Sequence, residues 1–380
     1  MLAQTKWHVL PVLLVQHSQD RRNDMNDSLQ NQLEEFENLR HEAFVTAFEL
    51  KSEDKKMAGI YGVNIPREIL WALDIIPVNI FGIDGSNVET AEKFIDEKNC
   101  SLIKASYGYI VADRCPFSHF ADIIVGTNNC INKESMINKL ENIKTTYIIK
   151  EHENAVDLVT EYKKFIDYLQ QKFNLDKFDE DKFLKIIKKT NNVSKLVQDI
   201  TDIYMTHPDI MSCHDLINII YGSQFILDLD DRLDRLQKLK ETLDMSLPEP
   251  VAPFTSGSIL ITGVPMAGFN EEIIKPLSSL NKAILTFSCC EGENYKIVDE
   301  TMGLFLGLAQ KYKTVNSQEN LNQIITKYKI EAIVNLNIEG CKLHEEVYKN
   351  IGVPYLTITV DYNCDYEEVK EKVASFITAL

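Results

Sequence analysis

The 380-residue sequence has no long hydrophobic run and no excess of basic residues. No apolar segment approaches the roughly 18 residues of a membrane-spanning helix, so we expect no membrane association. Lys and Arg number 40 against 57 Asp and Glu, which gives a formal net charge of −17. Because nucleic acid binding needs clustered basic side chains, this balance argues against nucleic acid as the main partner.

The N-terminus lacks the pattern of a secretory signal peptide. The apolar segment Val9–Val15 is interrupted by Pro11 and is followed by no small-residue cleavage site. We therefore expect a cytoplasmic protein. Residues 1–25 are predicted to be an extension that is either not translated, with Met25 as the true start, or disordered.

The sequence also lacks closely spaced cysteine pairs of the C-x₂₋₄-C type that hold structural zinc. A disulfide framework is not expected in a chain of this length without secretion signals. Cys213 falls in a helical segment and is predicted to be a buried packing thiol. The eight cysteines are Cys100, Cys115, Cys130, Cys213, Cys289, Cys290, Cys341 and Cys364.

Hydrophobic patterns divide the remaining chain into three parts. Polar helices and a first α/β domain are predicted over residues 26–150, a helical block over 151–250 and a second α/β domain over 251–380. Strands that alternate with helices indicate mostly parallel sheets, so the predicted class is α/β, with two parallel-sheet domains and a helical insertion. The predicted strands are 74–82, 121–125, 145–149, 258–263, 283–287, 332–335 and 356–360, and later helices are predicted over 270–280 and 366–380.

Several cysteines follow predicted strands. Cys130, the pair Cys289-Cys290 and Cys341 each come shortly after a strand, in two different domains. Sites in open parallel sheets form beyond the carboxyl ends of strands, so these thiols are expected at a shared cleft. Thiolates there suit zinc or iron–sulfur.

The spacing of the cysteines leaves the chemistry of this cleft open. It matches no ferredoxin pattern, and a nucleophilic cysteine helped by His119 or His344 is an alternative. We assign no general acid or base, although Glu291, Glu339 and Asp361 are also expected near the cleft.

Five segments together resemble the 2-hydroxyacyl-CoA dehydratase family, namely its β-like components and the related double-cubane cluster proteins. They read KNCSLIKASYGYIVADRCPFSHFADIIVGTNNC, SILITGVPMAG, SCCEG, LNIEGCKLHEEVY and PYLTITVDY. The resemblance covers residues 30–380 in order. It implies two flavodoxin-like domains, in agreement with the pattern above.

The resemblance also implies a [4Fe–4S] cluster held by three cysteines with one iron open. The matching residues are Cys100, Cys130 and Cys341, while Cys115 and Cys290 match further cysteines of the double-cubane branch and Cys364 has no counterpart. The chain has Gly62 where double-cubane proteins have a cysteine, and KTVNSQENLNQII where they have a cysteine-rich turn. One cluster is therefore expected rather than two fused ones.

By the same resemblance, the implied reaction is elimination of water from a 2-hydroxyacyl-CoA through a ketyl radical, in anaerobic metabolism. The electron would come from a separate ATP-dependent iron–sulfur activator, and the chain would form a homo- or heterodimer. No GxxxxGK[ST] motif occurs here, so ATP hydrolysis by this chain is not expected. Open alternatives are an activated reductase of another small molecule, and a non-catalytic member of the family with or without a cluster.

Overall fold

The structure is a computed structural model. It describes residues 9–96, 98–247, 257–263, 268–278, 280, 282–288, 296–314, 318–341 and 351–380, with side chains from residue 27 onward except those of 314 and 318.

Two four-stranded sheets, in which every strand pair is parallel, organise the chain. The strand order is β2-β1-β3-β4 in the first sheet and β6-β5-β7-β8 in the second, so the two sheets share one topology. This is the order of a flavodoxin-like fold, which confirms the predicted class. The strands are β1 (Lys56–Tyr61), β2 (Ile75–Asn79), β3 (Ile123–Thr127), β4 (Thr146–Ile149), β5 (Ser258–Gly263), β6 (Ala283–Ser288), β7 (Ile330–Ile338) and β8 (Tyr355–Val360).

Helices cover both sheets, and the longest lie at the N-terminus and between the two α/β halves. They are α1 (Val9–Ser52), α2 (Arg67–Ala72), α3 (Val88–Glu92), α4 (Ser101–Val111), α5 (Pro116–Phe120), α6 (Ile131–Leu140), α7 (Ala155–Phe173), α8 (Glu180–Thr206), α9 (Cys213–Ile217), α10 (Leu229–Ser246), α11 (Lys275–Leu277), α12 (Leu304–Thr314), α13 (Gln318–Lys327) and α14 (Tyr366–Thr378). Short π-helical turns occupy Asn218–Gly222 and Asn270–Ile274, and 3₁₀ turns occupy Ser223–Phe225 and Glu300–Met302.

The first sheet is buried on both faces. Tyr61 and Ile124 belong to a core that also contains the side chains of α1 and the second sheet. Ile60 and Ile123 face the opposite side, into a separate core with residues of α2 and α7. Burial on both faces explains why these strands read as continuous apolar runs rather than as alternating ones.

One segment of the second half packs on the first half. Helix α12 packs against α7, and its Leu308 and Tyr312 lie in the core on the α2 and α7 side of the first sheet. Just before it, the Asn191 side chain donates to Val298 O over 2.9 Å and accepts from Val298 N over 2.8 Å. The two α/β halves are therefore interlocked.

The predicted elements are confirmed in most places, with shifted ends. The strand predicted over 121–125 runs from Ile123 to Thr127, and the helix predicted over 270–280 is a π-helical turn followed by the short α11. Strand β1 was missed, although it lies at the centre of its sheet. Its sequence, KMAGIY, is short, contains a glycine and follows a long polar helix, so it carries little strand signal.

The shared topology defines where a site can form. In each sheet, successive strands are first added on one side and then on the other. The strand order therefore reverses between β1 and β3 in one half and between β5 and β7 in the other. A crevice opens beyond the carboxyl ends of such strand pairs. The segments after β3 and β7 carry Cys130 and Cys341.

Candidate metal centre

Three cysteines stand where helices usually begin with a capping residue. Cys100, Cys115 and Cys130 are the N-cap residues of α4, α5 and α6, with extended backbone and no side-chain capping bond. Ser, Thr, Asp and Asn are preferred there because their side-chain oxygens accept from the free N–H groups. A cysteine at such a position stabilises the helix less, because its sulfur is a weak acceptor for those N–H groups.

The second half contributes its thiol through a tight turn against Cys100. Cys341 lies three residues past β7, and its N–H donates to Ile338 O over 2.9 Å. Gly340, with φ of +78°, sits so close that a Cβ there would lie 3.1 Å from the Cα of Cys100. The Ser101 N–H also donates to Glu339 O over 3.3 Å. Only glycine allows this approach, which brings the two halves together at the thiols.

Cys100 interacts electrostatically with Cys341 and with Cys130. The pKa of the Cys100 thiol rises from 9.0 to about 12, chiefly because the side chain is buried and further because Cys341 and Cys130 lie close by. The N–H groups of Ile103 and Leu102 act in the opposite direction and favour the thiolate. The structure thus places the Cys100 thiol close to the two other thiols that the resemblance indicated, and burial makes Cys100 hard to ionise without a cation.

Two tyrosines, the buried Tyr61 and the partly buried Tyr362, adjoin Cys100. Tyr61 ends β1 and is 2% exposed, and its pKa is raised well above 10.0 by burial and then by Cys100, with Cys130 adding to the effect. Its hydroxyl has no hydrogen-bond partner among the described residues. The Ser106 hydroxyl lowers that pKa slightly, but it is already engaged by Gly82 N over 2.9 Å and Leu102 O over 2.7 Å.

Tyr362, the second of these tyrosines, joins the two halves. It follows β8, and its hydroxyl donates to Gly82 O of the first half over 2.8 Å. Its ring stacks on Phe269 with centroids 5.5 Å apart. Burial, followed by Cys100, raises its pKa well above 10.0. Tyr362 therefore covers the seam beside Cys100.

Comparison of the sequence with known proteins identifies its family. The profile of the family described as "2-hydroxyglutaryl-CoA dehydratase, D-component" matches residues 62–380. The chain belongs to this dehydratase family. "Putative dehydratase subunit YjiM" of Escherichia coli (strain K12) is 23% identical over 373 residues, covering 91% of this chain and 97% of that relative. The resemblance found in the sequence is thereby confirmed at the level of the family.

In this dehydratase family member, Cys100 lies at the N-terminal end of α4, whereas Cys115 lies past its C-terminal end. Helix α4, about 16 Å long, runs from Cys100 to the turn before Cys115. Cys115 is buried, and Ser118 Oγ donates to its carbonyl over 3.0 Å. Cys290 and its neighbour Cys289 lie outside the described residues, directly after the last residue of β6 in sequence. The roles of Cys115 and Cys290 as ligands remain predictions.

Cys213 behaves as the packing thiol predicted for it, and Cys364 lies in the turn after β8. The Cys213 sulfur lies 3.1 Å from Ser278 Oγ, buried between α9 and α11. Cys364 is partly buried, and its N–H donates to Asp361 O over 3.2 Å.

The other candidate groups of the cleft are held by local contacts where the structure describes them. His119 is exposed, and its Nδ1 lies 2.8 Å from Asp113 Oδ1, which gives the ring a surface partner. Asp361 accepts from Tyr362 N over 2.7 Å. Glu339 contacts the first half through its backbone. Glu291 and His344 lie outside the described residues.

A second set of possible metal ligands lies away from the thiols. Within the described part of the chain, ligand atoms of Glu37, His214 and Glu271 lie within 4.8 Å of one another. His214 is buried, and its Nε2 lies 3.4 Å from Glu271 Oε1 and 3.1 Å from Asn218 Nδ2. Glu271 also pairs with Lys275 over 2.9 Å. This set has no sulfur, so it does not suit an iron–sulfur cluster.

Sequence reasoning missed Tyr61 and Tyr362, which adjoin Cys100, and Lys133 in α6. Tyr61 ends the unrecognised β1, and Tyr362 is known as a neighbour only once the halves are placed together. Lys133 carried the one available signal, a lysine in the first turn of a helix, where the helix dipole disfavours a positive charge.

None of the described helices is long and apolar enough to cross a membrane.

Proposed function

We propose that this chain is the cluster-bearing subunit of a 2-hydroxyacyl-CoA dehydratase. In this reading it removes water from a 2-hydroxyacyl-CoA by one-electron chemistry through a ketyl radical. The electron is supplied by an ATP-dependent iron–sulfur activator. The chain works as a homo- or heterodimer in the cytoplasm of an anaerobically growing cell.

One observation supports this proposal most: the thiols of Cys100, Cys130 and Cys341 interact at the seam of two flavodoxin-like halves. Cysteines that only filled the core would have no reason to meet at the carboxyl ends of strands from both sheets. Their meeting point is also where ligands bind in open α/β sheets. A shared ligand therefore explains the arrangement better than packing does.

The residues present fit a [4Fe–4S] cluster with one open iron. Three thiolates are the soft ligands that such a cluster takes, and two of them stand at helix N-termini. The unpartnered Tyr61 hydroxyl is a spare donor for a sulfur or for a substrate oxygen. When bound, the cluster supplies a low-potential electron and an open position for the substrate oxygen.

The protein's own residues prepare the site in two ways. Cys100, with a pKa of about 12, must give up its proton as the cation arrives, so loading is linked to proton release. The contacts of Tyr362 with Gly82 and of Gly340 with Cys100 close the seam beside the thiols. A closed seam keeps water away from reactive species.

Iron and acid-labile sulfide per chain, measured on protein purified without oxygen, test the proposal. We expect about four of each in the wild type. Cys130→Ala should lose most of both, whereas Cys213→Ala, which removes a packing thiol elsewhere, should keep them. Iron near zero in the wild type after reconstitution would overturn the proposal.

The reaction needs a second assay. Loaded protein is mixed with an activator, ATP and a panel of 2-hydroxyacyl-CoA thioesters, and loss of water is followed by mass spectrometry. Turnover that needs both activator and ATP would support the dehydratase. A loaded chain that accepts the electron but dehydrates no thioester would favour the reductase alternative.

A further inference from the structure

Lys133 is a buried lysine in a position that disfavours its charge. It is the third residue of α6, next to the helix N-terminus, and only 5% of the residue is exposed. The N-terminal end of a helix carries partial positive charge, and burial of an ammonium group is costly unless it is compensated. A residue kept there against both effects is expected to have a purpose at the site.

The Lys133 ammonium binds the turn that presents Cys130. Its Nζ donates to Thr127 Oγ1 over 2.7 Å and makes a short hydrogen bond to Asn129 Oδ1. Thr127 is the last residue of β3, and Asn129 directly precedes Cys130. Thr127 Oγ1 also donates to Val63 O over 3.4 Å. Lys133 thus contacts the end of β3 directly and, through the Thr127 hydroxyl, the segment that follows β1.

Gly62 leaves the space that this ammonium fills. Gly62 has a φ of +106°, and a Cβ built on it would lie 2.8 Å from Lys133 Nζ. Any side chain at residue 62 would have to displace the ammonium or force the backbone into a strained conformation. Gly62 and Lys133 thus form a matched pair at the crevice between β1 and β3.

We propose that Lys133 is a positioning residue for the thiols of Cys100, Cys130 and Cys341. It fixes the Thr127–Cys130 turn and supplies a positive charge beside the thiolates. This inference rests on the proposed function, because three thiolates at one site, with Cys100 buried and the other two partly buried, need compensating charge to hold a cluster. A positive charge near a cluster favours its reduced, more negative form. The Lys133 ammonium also leaves no room for a ligand side chain at residue 62.

The test compares Lys133→Met with Lys139→Met in anaerobically reconstituted protein. Lys139 lies on the same helix, is exposed and contacts only the Phe94 carbonyl among the bonds described for its side chain, over 2.7 Å. Both variants remove one positive charge from α6. The measurements are iron per chain, the midpoint potential of the cluster and the unfolding temperature of the cluster-free protein.

Lys133→Met should lower the midpoint potential or the iron content, while Lys139→Met stays at the wild-type value. Lys133→Arg keeps the charge and should remain closer to the wild type than Lys133→Met. The loss of its hydrogen bonds is offset because Lys133→Met no longer buries an ammonium at a helix N-terminus, so the unfolding temperature of the cluster-free variant should change little. That combination separates a role at the cluster from a role in the fold.

Three results would overturn the inference. The first is a Lys133→Met protein with full iron and an unchanged potential. The second is loss of iron together with a clearly lowered unfolding temperature of the cluster-free protein, which would make Lys133 a residue of the fold. The third is a wild type that binds no iron, which would remove the proposed function itself.

Discussion

Replacing Tyr61 with Phe should leave the cluster-free protein as stable as the wild type or more stable. The Tyr61 hydroxyl is buried and has no hydrogen-bond partner among the described residues. A buried polar group without a partner destabilises a protein by about 1–3 kcal/mol. The ring would keep its contact with Phe81, whose centroid lies 5.5 Å away, so little packing is lost. We expect the free energy of unfolding to rise by about 1 kcal/mol.

Tyr362→Phe is the matched comparison and should have the opposite sign. Its hydroxyl makes a 2.8 Å hydrogen bond to the carbonyl of Gly82 across the seam. Removing it loses that bond and leaves the carbonyl unpaired, so the free energy of unfolding should fall by about 1–2 kcal/mol. The two phenols lie beside the same cysteine, Cys100, yet only one of them is used for structure.

Urea unfolding of the cluster-free proteins measures both effects. The free energies of unfolding are compared only where their dependence on urea concentration has the same slope in each protein. The two variants should differ by about 2–3 kcal/mol. A Tyr61→Phe protein less stable than the wild type by 1 kcal/mol or more would refute the reasoning. It would mean that the Tyr61 hydroxyl is bonded in solution and is not a spare donor for the cluster.

Three further predictions concern charge and thiols. The pKa of Cys100 rises from 9.0 to about 12 on folding. Its protonation therefore stabilises the cluster-free protein fully below about pH 9, and this stabilisation is lost as the pH rises toward 12. In alkaline unfolding curves, Cys100→Ala should lose less free energy of unfolding over this pH range than the wild type. Lys311→Met should lower the free energy of unfolding by about 3–5 kcal/mol, because it removes the ammonium that lies 2.8 Å from the buried Glu68 carboxylate. Lys372→Met, in an exposed pair, should change that free energy by less than about 1 kcal/mol, and similar losses for the two variants in urea titrations would contradict this. Cys364→Ala should keep its iron, and loss of iron would make Cys364 an unrecognised ligand.

The fold could be predicted from the sequence to the extent that each strand carried its own signal. The run SILITG is apolar and ends at a glycine, and β5 has the predicted bounds 258–263. Strand β1 carries no such signal, so the reversal between β1 and β3 could not be located in advance. Without it, neither Tyr61 nor Gly62 could be placed at the site.

Contacts between distant segments were beyond sequence reasoning for a physical reason. An amphipathic helix such as α12 shows that one face is buried but not what covers it, and here α7 and the core beside the first sheet do so. The ligand residues, by contrast, could be named from family resemblance, and the structure brings Cys100, Cys130 and Cys341 together. Their role as ligands remains a prediction.

If both halves of the chain hold one cluster, as we propose, Cys341→Ala should lose it. Iron, acid-labile sulfide and the electron paramagnetic resonance spectrum of the reduced protein are measured for the wild type, Cys341→Ala and Cys213→Ala under identical anaerobic reconstitution. We expect about four irons and a cluster signal in the wild type and in Cys213→Ala, and the loss of both in Cys341→Ala. Full iron and an unchanged signal in Cys341→Ala would contradict it, because the second half would then contribute no ligand.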